Sequence, residues 1–421
     1  MTQSVRPRPL VVADAEHHGG MSARVAAVLD QPLASYLIVM GCTTLLLGLG
    51  VVMVFSASSV IEYADTGSAF GIVARQLMWA AVGVPAMLLA SRMPVRTWRI
   101  LALPALIGSL ALLALVMVPG IGVAVNGNRN WINIGGPFRL QPSEAAKLAL
   151  ILYAADVLAR KRKLLDTWRH LLIPVLPAAL AVVALVLAED DLGTAVIIVM
   201  VTLVVLFVTG APMRLFVLLG GAAIAMVTYL SVSATHRSTR FTDWLHPNQA
   251  DPTSTGWQAL HGKYALGSGG WWGLGLGAGR EKWGALPEAH TDFIFAVIGE
   301  ELGLIGTLTV LALFGLLAYA GIRIALRCGD PFVRLAAAGI TVWITGQALI
   351  NIGAVLGLLP IAGLPLPLVS YGGSALLVTL VALGVLMSLA RSEPGAAEAL
   401  AAHRAHRRDR MRRAWAMLRR I

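Results

Sequence analysis

The stretch Leu-Pro-Glu-Ala-His-Thr-Asp-Phe at residues 286–293 places two carboxylates and an imidazole within five residues, just before an apolar run. A positioned carboxylate or imidazole can take a proton from a hydroxyl nucleophile. The alternative is structural, because Thr291 or Asp292 can cap a helix that begins here. The two roles are compatible, since a helix N-terminus also favours an anionic ligand. The residues alone leave both interpretations open.

Four further charged residues lie at the edges of apolar runs. Glu144 and Lys147 predict either a local ion pair, with Ser143 as N-cap, or a ligand site, because charges inside a membrane are costly. Asp191 precedes Leu-Gly-Thr and is better explained as a helix cap than as a ligand. Arg75 is explained by snorkelling of its guanidinium to the membrane surface.

A glycine-rich run with two tryptophans spans residues 267–279 and superficially resembles a nucleotide-binding loop. Its spacing is not GxGxxG, no strand precedes it, and no Lys-Ser/Thr pair follows it. Close backbone packing beside two tryptophans at the membrane surface is the better interpretation.

The elements that must position these residues are membrane helices. Of 421 residues, 57% are hydrophobic and 13% are charged, which is too little charge for the surface of a soluble protein. Apolar runs of about 20 residues recur, which is the length of a helix that crosses a bilayer. We therefore predict an all-α, polytopic integral membrane protein with about ten transmembrane helices. The predicted spans are 34–57, 73–91, 99–118, 143–159, 171–188, 192–209, 213–233, 302–324, 334–356 and 373–390.

The distribution of Arg and Lys predicts the orientation. Alternate connecting segments are basic, for example 92–99, 160–163 and the C-terminal tail, whereas the short loops on the opposite side contain few Arg or Lys residues. The positive-inside rule then places both termini in the cytoplasm. Four polar loops fall on the outer face, namely 119–142, 189–191, 234–301 and 359–372.

We expect three regions along the chain. Residues 1–33 form a polar, disordered cytoplasmic tail. Residues 34–391 form the membrane domain, with a large extracytoplasmic loop at about 234–301 between helices 7 and 8, and residues 392–421 form an Arg-rich cytoplasmic tail. The net charge of +11 would suggest nucleic-acid binding in a soluble protein. Here the basic residues flank apolar runs, so anionic lipid at the C-terminal tail is the expected partner, and no nucleic acid is expected.

In this orientation the outer face collects cations together with acid–base residues. Cations beside a carboxylate at the membrane–water boundary suit a lipid-linked phosphate substrate. The two cysteines, Cys42 and Cys328, lie in unrelated segments and do not have metal-ligand spacing. The outer-face set is Arg75, Arg129, Lys147, Lys282, Asp191, Glu288, His290 and Asp292.

A long gapped pattern covers residues 351–375: Asn351, Gly357, Pro360, Gly363-Leu364 and Leu368 through Ala375. This pattern resembles the signature of the SEDS family of bacterial cell-wall proteins, which includes FtsW and RodA. The similarity extends over about 34–391, with further matches at 141–144, Lys147, 191–194 and 287–296. Glu-Ala before His-Thr-Asp, and the run ending Val-Phe-Ser-Ala-Ser at residue 58, are typical of the FtsW branch.

The chain departs from the family pattern at four places. Glu189-Asp190 stands where Gln-Pro is usual, and Asn130 stands where an arginine usually precedes Trp131. Gly279 and Ala285 replace a common serine and a common tyrosine. These differences weaken the transfer of a role to Arg129 and to the glycine-rich run, and leave Asp292 untouched.

The resemblance implies a peptidoglycan glycosyltransferase that polymerises lipid II at the division septum, by inverting transfer with release of undecaprenyl pyrophosphate. It implies a multi-pass protein of the bacterial cytoplasmic membrane with Asp292 as general base. A divalent cation, Mg²⁺ or Mn²⁺, would help to hold the pyrophosphate. The implied partners are a class B penicillin-binding protein transpeptidase and other divisome membrane proteins. The implied substrate-binding residues are Arg75, Arg129, Lys147, Asp191, Lys282, Glu288, His290, Thr291 and Ser370.

Three other functions fit parts of the pattern. A lipid II flippase would need a polar path through the membrane midplane, whereas most non-cytoplasmic ionisable residues here lie at one face. A RodA-like elongation polymerase would share the chemistry, and a division scaffold would share only the architecture. Polymerisation by the purified protein separates the polymerases from the flippase and the scaffold.

Overall fold

The computed structural model describes residues 31–125, 128–135, 138–165, 167–233, 242–244, 255–396 and 398–399. Helices dominate these residues. They are α1 (Ala34–Thr66), α2 (Gly71–Arg92), α3 (Val95–Val116), α4 (Pro142–Arg160), α5 (Trp168–Leu172), α6 (Leu176–Ala188), α7 (Leu192–Val208), α8 (Met213–Ser233), α9 (Thr255–Gly269), α10 (Ile294–Arg327), α11 (Pro331–Val355) and α12 (Ser374–Ala390).

The predicted multi-pass helical architecture is confirmed. Each predicted span coincides with a helix, and the span 171–188 corresponds to α5 and α6 together. In the described part of the chain, six segments are long and apolar enough to cross a membrane, namely α1, α2, α3, α5 with α6, α10 and α11. Helices α7 and α12 and the start of α8 are apolar but shorter. Helix α4 differs because Glu144, Lys147, Asp156 and Arg160 lie on it.

A small β-sheet interrupts the otherwise helical fold between α3 and α4, where we predicted only a polar loop. Its strands are β1 (Gly122–Val125), β2 (Asn128–Gly135) and β3 (Phe138–Leu140), paired antiparallel in the order β1-β2-β3. The Asn-Gly pair at 126–127 is a strong hairpin signal in the sequence. The length and turn residues of this segment allow a sheet that an all-α prediction leaves out.

Helix α10 begins at Ile294, within the large loop that we predicted at about 234–301. The backbone leaves helical geometry at Gly303, with φ 68° and ψ −162°, so residues 294–302 form a short helix before the longer one. The adjacent acidic pair Glu300 and Glu301 makes this stretch look like loop in the sequence. Both carboxylates are buried instead. Helix α9 lies within the same predicted loop.

Close helix packing forms the core of the bundle. Helix α12 packs along α2, α10 packs against α1 and α11, and α4 packs against α3. Gly384 shows how tight the first contact is, because a Cβ added there would lie 2.4 Å from the carbonyl oxygen of Met87. Small residues allow such backbone approach between membrane helices, where packing rather than water exclusion drives association.

The two ends of the described chain meet at one end of the bundle. Arg323 Nε lies 3.7 Å from Glu393 Oε2, and Arg323 Nη2 donates to the carbonyl of Gln31 at 3.3 Å. Glu393 and Ala396 are buried, so the first residues of the predicted 392–421 tail pack against the bundle. Most of that tail, and residues 1–30, lie outside the described residues.

Candidate active site

The loops that we predicted on the outer face meet at the opposite end of the bundle, which we call the outer end. They are tied together through main-chain and side-chain hydrogen bonds rather than through apolar packing alone. The bonds run from Gln141 N to Ser374 Oγ (3.0 Å), from Gln76 Nε2 to Ser370 O (3.3 Å) and from Tyr371 N to His290 O (2.9 Å). The stretch 286–293 therefore lies against the loop between α11 and α12.

Asp292 lies on a turn that α11 supports. The side-chain amide of Asn351 donates to the carbonyl of Asp292 and to the carbonyl of Leu364, each at 2.8 Å. Asp292 also lines a small pocket with Asn351 and residues 361–364. The N-cap residue of α10 is Phe293, which makes no side-chain cap hydrogen bond.

The residues just before Asp292 form a strained, polar turn. Glu288 has a left-handed backbone, with φ 54°, which is uncommon for a residue other than glycine. The hydroxyl of Thr291 donates to the Glu288 carboxylate at 2.5 Å. Ser370 donates to the carbonyl of Thr291 at 2.6 Å and accepts from Leu366 N–H at 2.8 Å. Thr291 and Ser370 thus hold the turn in place.

The surroundings of His290 favour the neutral form of its imidazole. Burial lowers the pKa of His290, the carboxylates of Glu288 and Glu62 oppose that effect, and the Arg75 guanidinium adds to it. Its Nδ1 atom is buried and has no hydrogen-bond partner among the described residues. The ring packs near that of Tyr371, with centroids 5.8 Å apart. A neutral imidazole with an unused nitrogen can accept a hydrogen bond from a substrate.

Glu62 is a member of this group that the sequence analysis missed. It lies near the end of α1, is 8% exposed, and its Oε1 lies 3.5 Å from Arg75 Nη2. The sequence signal was weak, because a lone carboxylate near the end of an apolar run resembles a solvated helix end. The structure places Glu62, Arg75, Glu288 and His290 close enough for their charges to act on one another.

Lys147 and Glu144 form the buried ion pair predicted as one alternative. Lys147 Nζ lies 2.8 Å from Glu144 Oε1 and 3.0 Å from Gln347 Oε1, and it lies 4.9 Å from the centroid of the Trp343 ring. The predicted cap is wrong, because Gln141 is the N-cap residue of α4 and the hydroxyl of Ser143 is buried without a partner among the described residues.

Asp191 caps α7, as the structural interpretation predicted. Its carboxylate accepts from the backbone N–H of Thr194 at 2.8 Å and from the Thr194 hydroxyl at 2.7 Å. Gln141 Nε2 also donates to Asp191 at 3.4 Å. The neighbouring Glu189 is 2% exposed, and neither carboxylate oxygen has a hydrogen-bond partner among the described residues. Burial raises the pKa of Glu189 to about 8, with a smaller contribution from Asp191.

Lys282 lies in a buried network of polar side chains. Its Nζ lies 2.5 Å from Glu301 Oε1 and 2.9 Å from Ser56 Oγ. In this structure the charge of Lys282 is engaged inside the protein. The network fastens the glycine-rich run, since Gly277 N–H donates to Glu301 and a Cβ at Gly279 would lie 2.8 Å from Glu300 Oε2. The predicted close backbone packing of this run is therefore confirmed.

Arg129 lies on β2 and is exposed, with its Cδ beside Gly122. Arg129 and the half-exposed Arg75 are the predicted cations whose charges face outward from the protein, whereas those of Lys147 and Lys282 are turned inward. The outer end thus combines exposed guanidinium groups with a supported carboxylate, which suits an anionic, hydroxyl-bearing substrate.

The described residues contain no group of three or more His, Cys, Asp or Glu side chains that could hold a metal ion. A protein cage of carboxylates is therefore not formed in this part of the chain. The donor set still fits Mg²⁺ bound in the usual way, through one or two carboxylates together with substrate phosphate oxygens.

Comparison with known proteins gives concordant results. The family of FtsW, RodA and SpoVE, described as cell cycle protein, matches residues 36–394. The chain is 46% identical over 390 residues to the probable peptidoglycan glycosyltransferase FtsW of Mycobacterium tuberculosis (strain ATCC 25618 / H37Rv), covering 93% of this chain and 74% of that protein. It is 41% identical over 349 residues to stage V sporulation protein E of Bacillus subtilis (strain 168), covering 83% and 95%.

Two solved structures are similar in fold. A chain from work on structural coordination of polymerization and crosslinking by a peptidoglycan synthase complex superposes with a TM-score of 0.69 and 32% identity, covering 85% of this chain and 97% of that chain. The rod shape determining protein RodA of Thermus thermophilus superposes with a TM-score of 0.63 and 30% identity, covering 85% and 96%.

Proposed function

This chain belongs to the FtsW, RodA and SpoVE family of cell cycle proteins, and we propose that it is a peptidoglycan glycosyltransferase that polymerises lipid II at the division septum. The observation that carries the proposal is the position of Asp292. Asp292 lies on a turn held by Asn351, two residues after His290, which is close to Glu62, Arg75 and Glu288. A fixed carboxylate beside an exposed cation suits the activation of a hydroxyl that attacks a phosphate-linked sugar.

The proposed step is one inverting displacement. Asp292 takes the proton from the 4-hydroxyl of the acceptor sugar, and that oxygen forms a bond to the anomeric carbon of the donor. The bond from the anomeric carbon to the pyrophosphate oxygen breaks at the same time, and undecaprenyl pyrophosphate leaves with the electron pair. Proton removal contributes roughly 10²–10⁴ in rate for a hydroxyl nucleophile.

Arg75 is the cation proposed to receive the departing pyrophosphate, because it is half-exposed and close to the Asp292 turn. Arg129, on the exposed sheet, is a second candidate on the approach to the site. If a divalent cation takes part, Asp292 would help to hold Mg²⁺ or Mn²⁺, which would supply further positive charge for the pyrophosphate. Lys147 and Lys282 act in this account by fixing α4 and the glycine-rich run.

The placement of charged residues on α4 argues against the transport alternative. The buried pair Glu144 and Lys147 lies in the first two turns of α4, at the outer end, rather than at the middle of the helix. Asp156 lies toward the other end of α4, where it pairs with Arg99 and Arg160. The charges on α4 therefore divide between its two ends, whereas a flippase needs a polar site near the midplane.

The proposed partner is a class B penicillin-binding protein transpeptidase, together with other divisome membrane proteins. A structurally similar chain comes from a peptidoglycan synthase complex, which supports a complex of this kind. The protein is a multi-pass membrane protein, and we propose that both termini are cytoplasmic and that the Arg-rich C-terminal tail binds anionic lipid. A RodA-like role in elongation is the second candidate, since the RodA fold is also similar.

The direct test is polymerisation of lipid II by the purified protein, alone and with its cognate transpeptidase. The expected product is a ladder of glycan strands, with release of undecaprenyl pyrophosphate. A parallel experiment in liposomes measures translocation of labelled lipid II. Translocation without polymerisation would establish the flippase alternative, and neither activity with a folded, partner-bound protein would indicate a scaffold. Localisation in cells separates a septal role from an elongation role.

A further inference from the structure

Glu62 occupies a slot that the neighbouring helix provides. It lies in the last two turns of α1, and Gly71 begins α2 beside it. A Cβ added at Gly71 would lie 2.0 Å from Glu62 Oε1. With alanine at that position the Glu62 carboxylate would have to shift, as its flexible side chain allows. The present position of the Glu62 carboxylate therefore depends on the missing side chain of residue 71.

The partner of Glu62 is a cation at the surface of the proposed site. Glu62 Oε1 lies 3.5 Å from Arg75 Nη2, which is a long ion pair. The side chain of Arg75 is 36% exposed, whereas that of Glu62 is 11% exposed. The carboxylate is thus the more buried member of the pair, and part of the Arg75 side chain remains exposed. A planar guanidinium has five N–H donors in a fork, so it can hold one anion on each edge.

We propose that Glu62 is a resident counter-ion of Arg75 that weakens the hold of this arginine on the pyrophosphate of substrate and product. This inference rests on the proposed function, because it identifies Arg75 as the group that meets the pyrophosphate. Glu62 acts through Arg75 and does not itself touch the reacting atoms. It is a positioning and charge-tuning residue for the leaving-group side of the reaction.

The physical reason for the weaker hold is that Glu62 and the pyrophosphate are both negatively charged. Substrate and product both carry the pyrophosphate, so an uncompensated Arg75 would bind both more tightly. Uniform tightening of binding does not accelerate the chemical step, and release of product often limits turnover. A carboxylate paired with the guanidinium repels the pyrophosphate while keeping the arginine oriented. The product is therefore released more readily.

The test is the affinity for undecaprenyl pyrophosphate of wild type, Glu62→Gln and Gly71→Ala, each measured by titration with the full-length protein in detergent. Glu62→Gln removes the negative charge at nearly constant volume. Gly71→Ala retains Glu62 but displaces its carboxylate from the slot. We expect both variants to bind undecaprenyl pyrophosphate about three to ten times more tightly at low salt, an effect that added salt reduces.

The matched control is Asp65→Asn, which removes an exposed negative charge one turn farther along α1. Its effect on affinity should be within about twofold, because exposed charges are well screened. Product inhibition of polymerisation should increase in Glu62→Gln and not in Asp65→Asn. Unchanged or weaker binding by Glu62→Gln would overturn the inference. A role in folding alone would weaken binding, so tighter binding distinguishes the two.

Failure of this inference and failure of the proposed function give different results. The affinity titration requires no turnover, so it tests the role of Glu62 even if the protein is not a polymerase. Polymerisation by wild type with no change in affinity in Glu62→Gln would reject only the counter-ion role. Tighter binding by Glu62→Gln in a protein that does not polymerise lipid II would reject only the polymerase.

Discussion

The side-chain amide of Asn351 donates a hydrogen bond of 2.8 Å to the backbone carbonyl of Asp292. A second bond of 2.8 Å from the same amide to the carbonyl of Leu364 anchors Asn351 itself. The proposed base is therefore held by a buried residue near the end of α11, 59 positions away in the sequence. Such support fixes the geometry of a catalytic group, and a shift of about 1 Å can cost about 10²-fold in rate.

Replacing Asn351 with leucine should lower the polymerisation rate about 10–100-fold, because the Asp292 carbonyl loses its donor and the turn shifts. The rate is measured with purified protein and lipid II. Asn351→Asp is the isosteric comparison, and it should be at least as damaging because it presents acceptors to two carbonyl oxygens. Wild-type rates in Asn351→Leu would show that the turn is held without this residue.

The charges of Lys147 and Glu144 should be strongly coupled, because both side chains are buried. Lys147→Met leaves the Glu144 carboxylate buried without its cation, which should cost about 3–5 kcal/mol of stability. The double variant Lys147→Met with Glu144→Gln should lose clearly less than Lys147→Met alone. Thermal unfolding of the detergent-solubilised variants gives the comparison. If the loss of stability in the double variant equals the sum of the losses in Lys147→Met and Glu144→Gln, the two charges are not coupled.

The raised pKa of Glu189 predicts that the stability of the folded protein depends on pH. Its folded pKa of about 8 lies above the ordinary value of 4.5 because the carboxyl is buried, and Asp191 adds to the effect. Between these two values the folded protein binds more protons than the unfolded chain, so stability falls as the pH rises. The contribution is fully present below about pH 4.5 and is lost as the pH passes through about 8.

Glu189→Gln should remove this dependence, because an amide stays neutral. We expect little difference in melting temperature between Glu189→Gln and wild type at pH 5, and a higher melting temperature for the variant at pH 8.5. Asp190→Asn, at the next and exposed position, is the matched control and should not reproduce the trend. A constant difference across this pH range would mean that Glu189 does not titrate on unfolding.

The proposed topology can be checked with two single cysteines in a variant whose native Cys42 and Cys328 are replaced by alanine. Both native thiols are buried. Ser68→Cys lies between α1 and α2, and Gly329→Cys lies between α10 and α11; both positions are exposed. An impermeant thiol reagent should label residue 68 and spare residue 329 in spheroplasts with an intact inner membrane. Lysis should make both equally reactive, and the reverse pattern would invert the map.

The sequence predicts helices better than it predicts the geometry of the site, for physical reasons. Length and hydropathy determine which segments cross a bilayer, so the spans from 34 to 390 coincide with helices. The small sheet was missed because short strands carry little pattern beyond their turn residues. Residues 294–301 were assigned to the loop because the acidic pair at 300–301 looks solvated, although Lys282 and backbone N–H groups surround it.

Residue types alone could not separate the roles of the predicted cations. Arg75, Lys147 and Lys282 all follow or precede apolar runs, yet the last two are engaged in buried ion pairs. The local partner of Lys147, Glu144, was visible in the sequence, whereas Gln347 lies 200 residues from Lys147 and Glu301 lies 19 residues from Lys282. Asp191 was better predicted, because a cap depends only on the residues that follow it.

Polymerisation of lipid II by purified Asp292→Asn, beside wild type, tests the central claim most directly. Asparagine keeps the size of the side chain and removes the base, so we expect polymerisation to fall by roughly 10²–10⁴, with membrane insertion and partner binding retained. A titration with Mg²⁺ and Mn²⁺ separates the two roles of the carboxylate, since raised metal should partly restore a metal ligand and should not restore a general base. Polymerisation by Asp292→Asn at a rate close to that of wild type would contradict the account.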